Sequence, residues 1–333
     1  ELQIPEPLYN LGIGSGSHAE QVGLTMIAFE KVVLKEMPDW VVVFGDINAT
    51  LACSLVARKL NIKICHIEAG LRSGDMTMPE EVNRILTDRV SDLLLTPDVI
   101  SSQNLQNEGI LKGRISSVGN IMIDTLDFFL PRARQLNVGD ILSNLSRNGQ
   151  EPNTKSSFTD ISSCRYCIVT LHRPSNVDDI KTLSEIVGVL NRIAREEIFV
   201  VWPVHPRTEK NLRRFNLWHT LEDQPYVNLI HPASYLQMLR LLSDASVLLT
   251  DSGGLQAESS VLGLPCITIR ETTEWQVTLK EKGGTSLLAG TDPEKLYNEF
   301  VKAASDIKHA FRPPLWDGQT APRCLEEILT RGC

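Results

Sequence analysis

Short apolar runs alternate with amphipathic stretches along almost the whole chain. Val22, Met26, Phe29 and Val33 recur at helical spacing within residues 18–37, and Pro38 ends the pattern. The apolar run at 40–44 predicts a strand. The alternation continues with a helix at 50–60, a strand at 62–67, a helix at 80–90, a short strand at 92–95, a strand at 115–118 and a helix after Gly119-Asn120. Residues 143–163 break the rhythm. They are dominated by Ser, Asn, Gly, Gln, Pro, Thr and Lys with little apolar periodicity, which predicts a flexible loop or linker. The alternation restarts with a strand at 166–171 and a helix at 181–195, whose Leu183, Ile186, Leu190 and Ile193 face inward. Strands at 198–204, 227–230, 246–250 and 266–269 follow, with a helix at 235–243. Near-continuous apolar strands separated by helices predict parallel sheets covered on both faces.

The break gives a domain scheme: an N-terminal Rossmann-like domain at 1–142, the linker at 143–163, a C-terminal Rossmann-like domain at 164–312, and a terminal helix at 313–333 packing back on the first domain. Two similar halves suggest a cleft between them. The chain reaches a helix before its first convincing strand, whereas a doubly wound domain normally starts with a buried strand and its phosphate-binding turn. The first domain is therefore expected to lack its N-terminal strand.

At 333 residues, two domains are the natural expectation. Hydrophobic residues at 42% and charged residues at 22% are ordinary for a globular protein. A net charge of -8 without a basic tract argues against nucleic acid and anionic membrane as partners. No apolar run approaches the roughly 18–20 residues that span a bilayer. The start of the chain does not read as a signal peptide. The seven cysteines are scattered. Cys53, Cys65, Cys167 and Cys266 sit in apolar surroundings, as reduced core thiols of a cytoplasmic protein would. Cys164 and Cys167 form a lone CxxC, which lacks the two further ligands of a zinc site.

Candidate chemistry gathers at strand ends. Asp46 and Glu68 each follow an apolar run, and Glu80 and Arg84 stand four apart on an expected helix, where they could share a face and pair. Carboxylates grouped in a cleft suit proton abstraction and return. A helix N-cap for Asp46 and a surface ion pair for Glu80 and Arg84 are the alternatives. Ser252, Gly253 and Gly254 follow a strand and open a helix, which describes either a diphosphate cradle or an ordinary turn. Glu258, a turn and a half into that helix, could bond ribose hydroxyls or face solvent. His172 with Arg173, and His205 with Arg207, end neighbouring strands. Two such pairs favour an anionic ligand. No dinucleotide fingerprint, P-loop or GxSxG is present, and no residues have convincing metal spacing.

Together these segments resemble the non-hydrolysing UDP-N-acetylglucosamine 2-epimerases. The matching stretches are 14–21, 45–50, 66–73, 78–84, 118–120, 170–178, 203–208, 250–256 and 316–318. The resemblance implies an α/β fold of glycosyltransferase-B type, with two Rossmann-like domains and the active site between them. It also implies conversion of UDP-GlcNAc to UDP-ManNAc by elimination of UDP to 2-acetamidoglucal and re-addition, with no cofactor and no metal. By the same resemblance Asp46, Glu68 and Glu80 are the acid/base carboxylates, Arg84 orients or balances them, and His172 assists departure of UDP. Ser252, Gly253 and Gly254 would hold phosphate and Glu258 the ribose. Ser234 to Met238 lies where the uracil pocket is lined, and Arg270 and His205 add basic or polar contacts. A homodimer is implied.

The chain departs from the family pattern at three places. No Gly-Thr-Arg-Pro-Glu loop is found. Thr273-Glu274-Trp275-Gln276 stands where many members have Thr-Glu-Arg-Pro, and Ser175-Asn176 where many have Glu-Asn. Tryptophan at that position also occurs in relatives acting on UDP-sugar uronic acids. An epimerase for such a sugar, a GT-B glycosyltransferase and a non-catalytic sugar-nucleotide binder are the other functions to weigh.

Overall fold

The computed structural model describes residues 1–147, 165–306 and 308–332. The chain divides into two compact units, Glu1–Ile121 with Pro314–Cys333, and Met122–Pro313.

Residues 1–17 form no helix or strand. The first unit then runs α1 (His18–Glu36), β1 (Trp40–Phe44), α2 (Asn48–Lys59), β2 (Lys63–Ile67), α3 (Pro79–Val90), β3 (Leu93–Thr96), α4 (Val99–Asn107) and β4 (Ile115–Ser117). Its four strands pair in parallel in the order β1-β2-β3-β4. Helix α1 starts at a capping box, in which Ser17 accepts the Glu20 N–H and Glu20 accepts the Ser17 N–H. One sheet face buries Val41, Val43 and Ile64 under Phe29, Cys53 and Ala57 of α1 and α2. The other buries Cys65, Ile67, Leu93 and Leu95 under Cys324 and Ile328. Those last two lie on the C-terminal helix, Thr320–Gly332, which belongs to this unit.

The second unit begins within α5 (Ile121–Ala133) and continues with α6 (Val138–Leu145), β5 (Tyr166–Thr170), α7 (Pro174–Val177), α8 (Ile180–Arg195), β6 (Phe199–Pro203), α9 (Pro206–Arg214), α10 (Trp218–Glu222) and β7 (Val227–Ile230). Then come α11 (Tyr235–Asp244), β8 (Val247–Thr250), α12 (Gly253–Leu262), β9 (Cys266–Thr268), β10 (Ser286–Leu288) and α13 (Pro293–Ser305). The helix at 320–332 is α14. The six parallel strands are ordered β10-β9-β8-β5-β6-β7. Counted within the unit this is the doubly wound 3-2-1-4-5-6 order, and the winding reverses between β5 and β8. Both faces are buried, which is why its strands read as unbroken apolar runs. Cys167, Val169 and Leu171 enter one core with α8 and α13. Tyr166 and Ile168 enter the other with Val138, Ile141 and Leu142.

That second core moves the expected boundary. Residues 122–142 pack with the second unit, not the first, because the apolar face of α6 is buried against β5 and β6. Of the expected linker, residues 143–145 end α6, and 148–163 lie outside the described residues, as does Cys164. Among the described residues no helix is long and apolar enough to cross a membrane. Cys53, Cys65, Cys167, Cys266 and Cys324 are free thiols.

Candidate active site

In a parallel α/β sheet, ligands bind beyond the carboxyl ends of the strands. In the first unit that edge carries an arginine shared by two carboxylates. Gly45 follows β1 with φ +61°, a left-handed turn that glycine takes without strain, and it throws Asp46 out of the strand direction. Arg84 on α3 is 2% exposed. It donates Nε (3.0 Å) and Nη2 (2.7 Å) to Asp46 Oδ2, and Nη1 (2.6 Å) to Glu81 Oε2. Glu81 also accepts the backbone N–H groups of Ser73 (3.0 Å) and Gly74 (2.9 Å). Burial alone would raise the Glu81 pKa. The two N–H groups and Arg84 outweigh it, so Glu81 stays ionised below the usual carboxylate range.

This corrects the expected pairing. Arg84 reaches the carboxylate three residues back and the loop after β1, and no ion pair joins it to Glu80 among the described residues. Glu80 is half-buried in the first turn of α3. Nor does Asp46 cap α2. The N-cap is Ile47, with no side-chain cap.

Glu68 follows β2 with φ +75°, a left-handed conformation that costs a side-chain-bearing residue about 1–2 kcal/mol. The turn is held by N–H groups of Glu68 and Ala69 on Leu95 O (both 3.1 Å) and of Gly70 on Asp88 (3.1 Å). Such local strain concentrates at functional sites. It brings Glu68 Oε2 within 3.4 Å of where a Cβ on Gly45 would stand, so Glu68 lies beside the Gly45-Asp46 turn.

In the second unit, the loops after β5 and β8 meet at the point where the winding reverses. Asp251 is fully buried and organises them. It accepts the backbone N–H groups of His172 (3.0 Å) and Arg173 (2.9 Å), Asn176 Nδ2 (3.1 Å) and His172 Nδ1 (3.0 Å). Burial would raise its pKa, but these donors hold it below the usual range. His172 is thereby fixed while its ring stays about half exposed, with the His205 ring 5.9 Å away. Burial and the neighbouring His172 and Arg207 push His205 down, toward the neutral form. His205 also caps α9 through Nδ1 to the Arg207 N–H (3.2 Å).

Helix α12 follows its N-cap Ser252, whose side chain makes no cap hydrogen bond, which leaves its first turn suited to an anion. The glycine at 253 has a nearer cause. A Cβ there would run into Glu274 Oε1, and Trp275 Cδ1 would lie 3.2 Å away. The Thr273-Glu274-Trp275 turn packs directly on the helix start. Glu274 is paired with Arg270 Nη2 (2.7 Å), and Trp275 is buried. Glu258 on α12 accepts from the Tyr235 hydroxyl (3.1 Å), and burial pushes its pKa up to about 7. The Ser234 hydroxyl caps α11 in a capping box with Gln237, and Met238 packs on the core under that helix.

The structure thus joins Asp46, Glu68 and Arg84 in the first unit, and His172, His205, Ser252 and Gly253 around one strand edge in the second. It leaves Glu80 apart. Glu81, Asp251 and Asn176, which hold these groups, were given no site role from sequence. Glu81 and Arg84 at i and i+3 are a signal that could have found the first. Among the described residues no cluster of His, Cys, Asp or Glu is arranged to hold a metal ion.

Two Rossmann-like units with parallel sheets make this a GT-B-like fold, with polar groups gathered at the carboxyl ends of both sheets. The family model for UDP-N-acetylglucosamine 2-epimerase matches residues 1–329, and the chain belongs to that family, an isomerase of the epimerase type. A UDP-N-acetylglucosamine 2-epimerase of Methanocaldococcus jannaschii is 41% identical over 334 residues, 100% of this chain and 86% of that protein. A UDP-2,3-diacetamido-2,3-dideoxy-D-glucuronate 2-epimerase of Pseudomonas aeruginosa is 42% identical over 277 residues, 83% of this chain and 71% of that one. The crystal structure of the Methanocaldococcus jannaschii UDP-GlcNAc 2-epimerase in complex with UDP-GlcNAc and UDP matches with a TM-score of 0.86 at 39% identity, over 98% of this chain and 85% of that one.

Proposed function

We propose that this epimerase inverts C2 of UDP-N-acetylglucosamine to give UDP-N-acetylmannosamine. A carboxylate removes the C2 proton, the C1–O bond breaks, and UDP leaves with the electron pair, giving 2-acetamidoglucal. Protonation at C2 from the opposite face and attack of UDP oxygen on C1 complete the change. Every step is proton transfer or C–O cleavage or formation, which side chains can assist without a redox partner. The observation that carries the proposal is Asp46, held on buried Arg84 beside the strained Glu68 turn. Asp46, Glu68 and Glu80 are the proposed acid and base groups, with Arg84 fixing Asp46. His172 would assist departure of UDP. Ser252, Gly253 and Gly254 would hold its diphosphate, with Arg270 and His205 nearby in the same unit, and Glu258 would hold the ribose. Ser234 and Met238 would border the uracil. A homodimer in the cytoplasm completes the proposal, and the free thiols support that compartment.

Quenched reactions with UDP-GlcNAc test it. UDP-ManNAc together with small amounts of free UDP and 2-acetamidoglucal is the expected result, and absence of the glucal under conditions of full turnover would count against elimination. A UDP-sugar uronic acid is the second candidate substrate. It is favoured by Trp275 and by the Pseudomonas aeruginosa relative. Relative kcat/KM for the two sugars decides between them.

A further inference from the structure

His66 lies on β2 two residues before Glu68 and is the one buried histidine among the seven of this chain. Its Nδ1 is 2.6 Å from Asp88 Oδ1, and its Nε2 is 2.8 Å from the Gly45 carbonyl oxygen. A carbonyl oxygen only accepts, so Nε2 carries a proton. Burial would raise the Asp88 carboxyl, but the charges and hydrogen bonds of His66 and Arg72 hold it below the usual range, and its other oxygen accepts Arg72 Nη2 (2.8 Å) and the Gly70 N–H (3.1 Å). Nδ1 is therefore protonated too, and the ring is an imidazolium. Burial would push His66 down, but the Asp88 charge and the two hydrogen bonds outweigh it and its pKa is raised. Arg72 continues the chain outward to Glu108 (2.7 and 2.8 Å).

The acceptor at the inner end of this chain matters. The Gly45 carbonyl belongs to the peptide that precedes Asp46, and the Gly45 N–H is tied to Ile67 O (3.2 Å). The next carbonyl, that of Asp46, accepts Asn83 Nδ2 at 2.8 Å. Both peptide planes flanking the Asp46 Cα are thus held by side chains, and these planes set the direction of its carboxylate.

The geometry points to His66 as a positioning residue for epimerisation: as an imidazolium clamped by Asp88, it fixes the Gly45 carbonyl and so the aim of Asp46. This rests on the proposed role of Asp46 in moving the C2 proton. A displacement of about 1 Å at a reacting group costs on the order of 100-fold in rate.

Two variants separate positioning from mere support. His66→Gln keeps a donor where Nε2 stood, whereas His66→Asn places its amide near Nδ1 and loses the Gly45 contact. Expected is a drop of about 10–100-fold in kcat for His66→Asn, with KM and the Kd for UDP within about twofold of wild type, and recovery of most of that loss in His66→Gln. Equal losses in both variants, or a wild-type kcat for His66→Asn, would overturn the proposal. Ring-15N spectra of the histidine-labelled wild-type protein decide the matter if a variant does not fold. One histidine with both ring nitrogens protonated and slowly exchanging at pH 8 is expected, and a neutral tautomer at the protected histidine contradicts it. If the wild-type protein does not epimerise UDP-GlcNAc, the proposed function fails by itself, and the ring spectra still judge the clamp.

Discussion

The two units hold their polar groups by opposite means. In the first unit the holding is done by charge on charge: Arg84 is shared between Asp46 and Glu81, and His66 is matched with Asp88. In the second unit one buried carboxylate, Asp251, gathers backbone and side-chain N–H groups from the loop after β5 and leaves His172 half exposed. Fixed carboxylates suit proton transfer in a set direction, as removal from one face of a carbon and return to the other requires. An exposed imidazole beside an uncapped helix start suits a charged group that arrives and leaves. The difference predicts that changes in the first unit act on chemistry, and changes in the second on nucleotide binding.

The largest expected effect is at Asp46. Asp46→Asn should lower C2 exchange at least about 1000-fold and leave the Kd for UDP within about threefold, read by NMR exchange and calorimetry. Loss of UDP affinity there would erase the division of labour. Next comes Asp251→Asn, whose amide cannot accept all the donors now gathered on the carboxylate. Unfolding free energy should fall by about 3 kcal/mol and UDP affinity by about 10–100-fold, seen in denaturant melts and titration. Unchanged UDP affinity would show that the loop after β5 does not serve the nucleotide. Glu81→Gln is expected to slow exchange by about tenfold, because Arg84 loses one of its two charged partners while Asp46 keeps its own.

The smallest effect sharpens the picture of the second unit and concerns pH. The folded pKa of Glu258 is about 7, above its ordinary 4.5, because the site is buried. Its contribution to stability is therefore fully present below about pH 4.5 and is lost as pH rises through 7. Glu258→Gln should flatten the pH dependence of unfolding between pH 5 and 8, with a difference up to about 3 kcal/mol at the upper end. Parallel curves for the two proteins would place the carboxylate in a wetter site.

Much of this was legible in the sequence. The strands at 62–67 and 246–250 stood out because parallel strands buried on both faces are continuous apolar runs, that at 40–44 reads alike although Val42 and Phe44 are exposed, and Asp46 and Glu68 stood out because they follow two of these runs. β10 was missed: three residues after Gly283-Gly284 carry no run to read. α6 was not read, because only Val138, Ile141 and Leu142 of its eight residues are buried. Arg84 was read as a candidate although it is 2% exposed, whereas the groups that hold the candidates in place were not. Glu80 and Glu81 are chemically alike in sequence, and only the fold shows which one faces Arg84. His66 and Asp88 are 22 positions apart, joined by a hydrogen bond that no local spacing announces.

The most direct test of the central claim is incubation with UDP-GlcNAc in deuterated water, followed by NMR. The account predicts UDP-ManNAc carrying deuterium at C2, at a rate that collapses in Asp46→Asn. Binding of UDP-GlcNAc with no C2 exchange, or an epimer that keeps its original C2 proton, would contradict it.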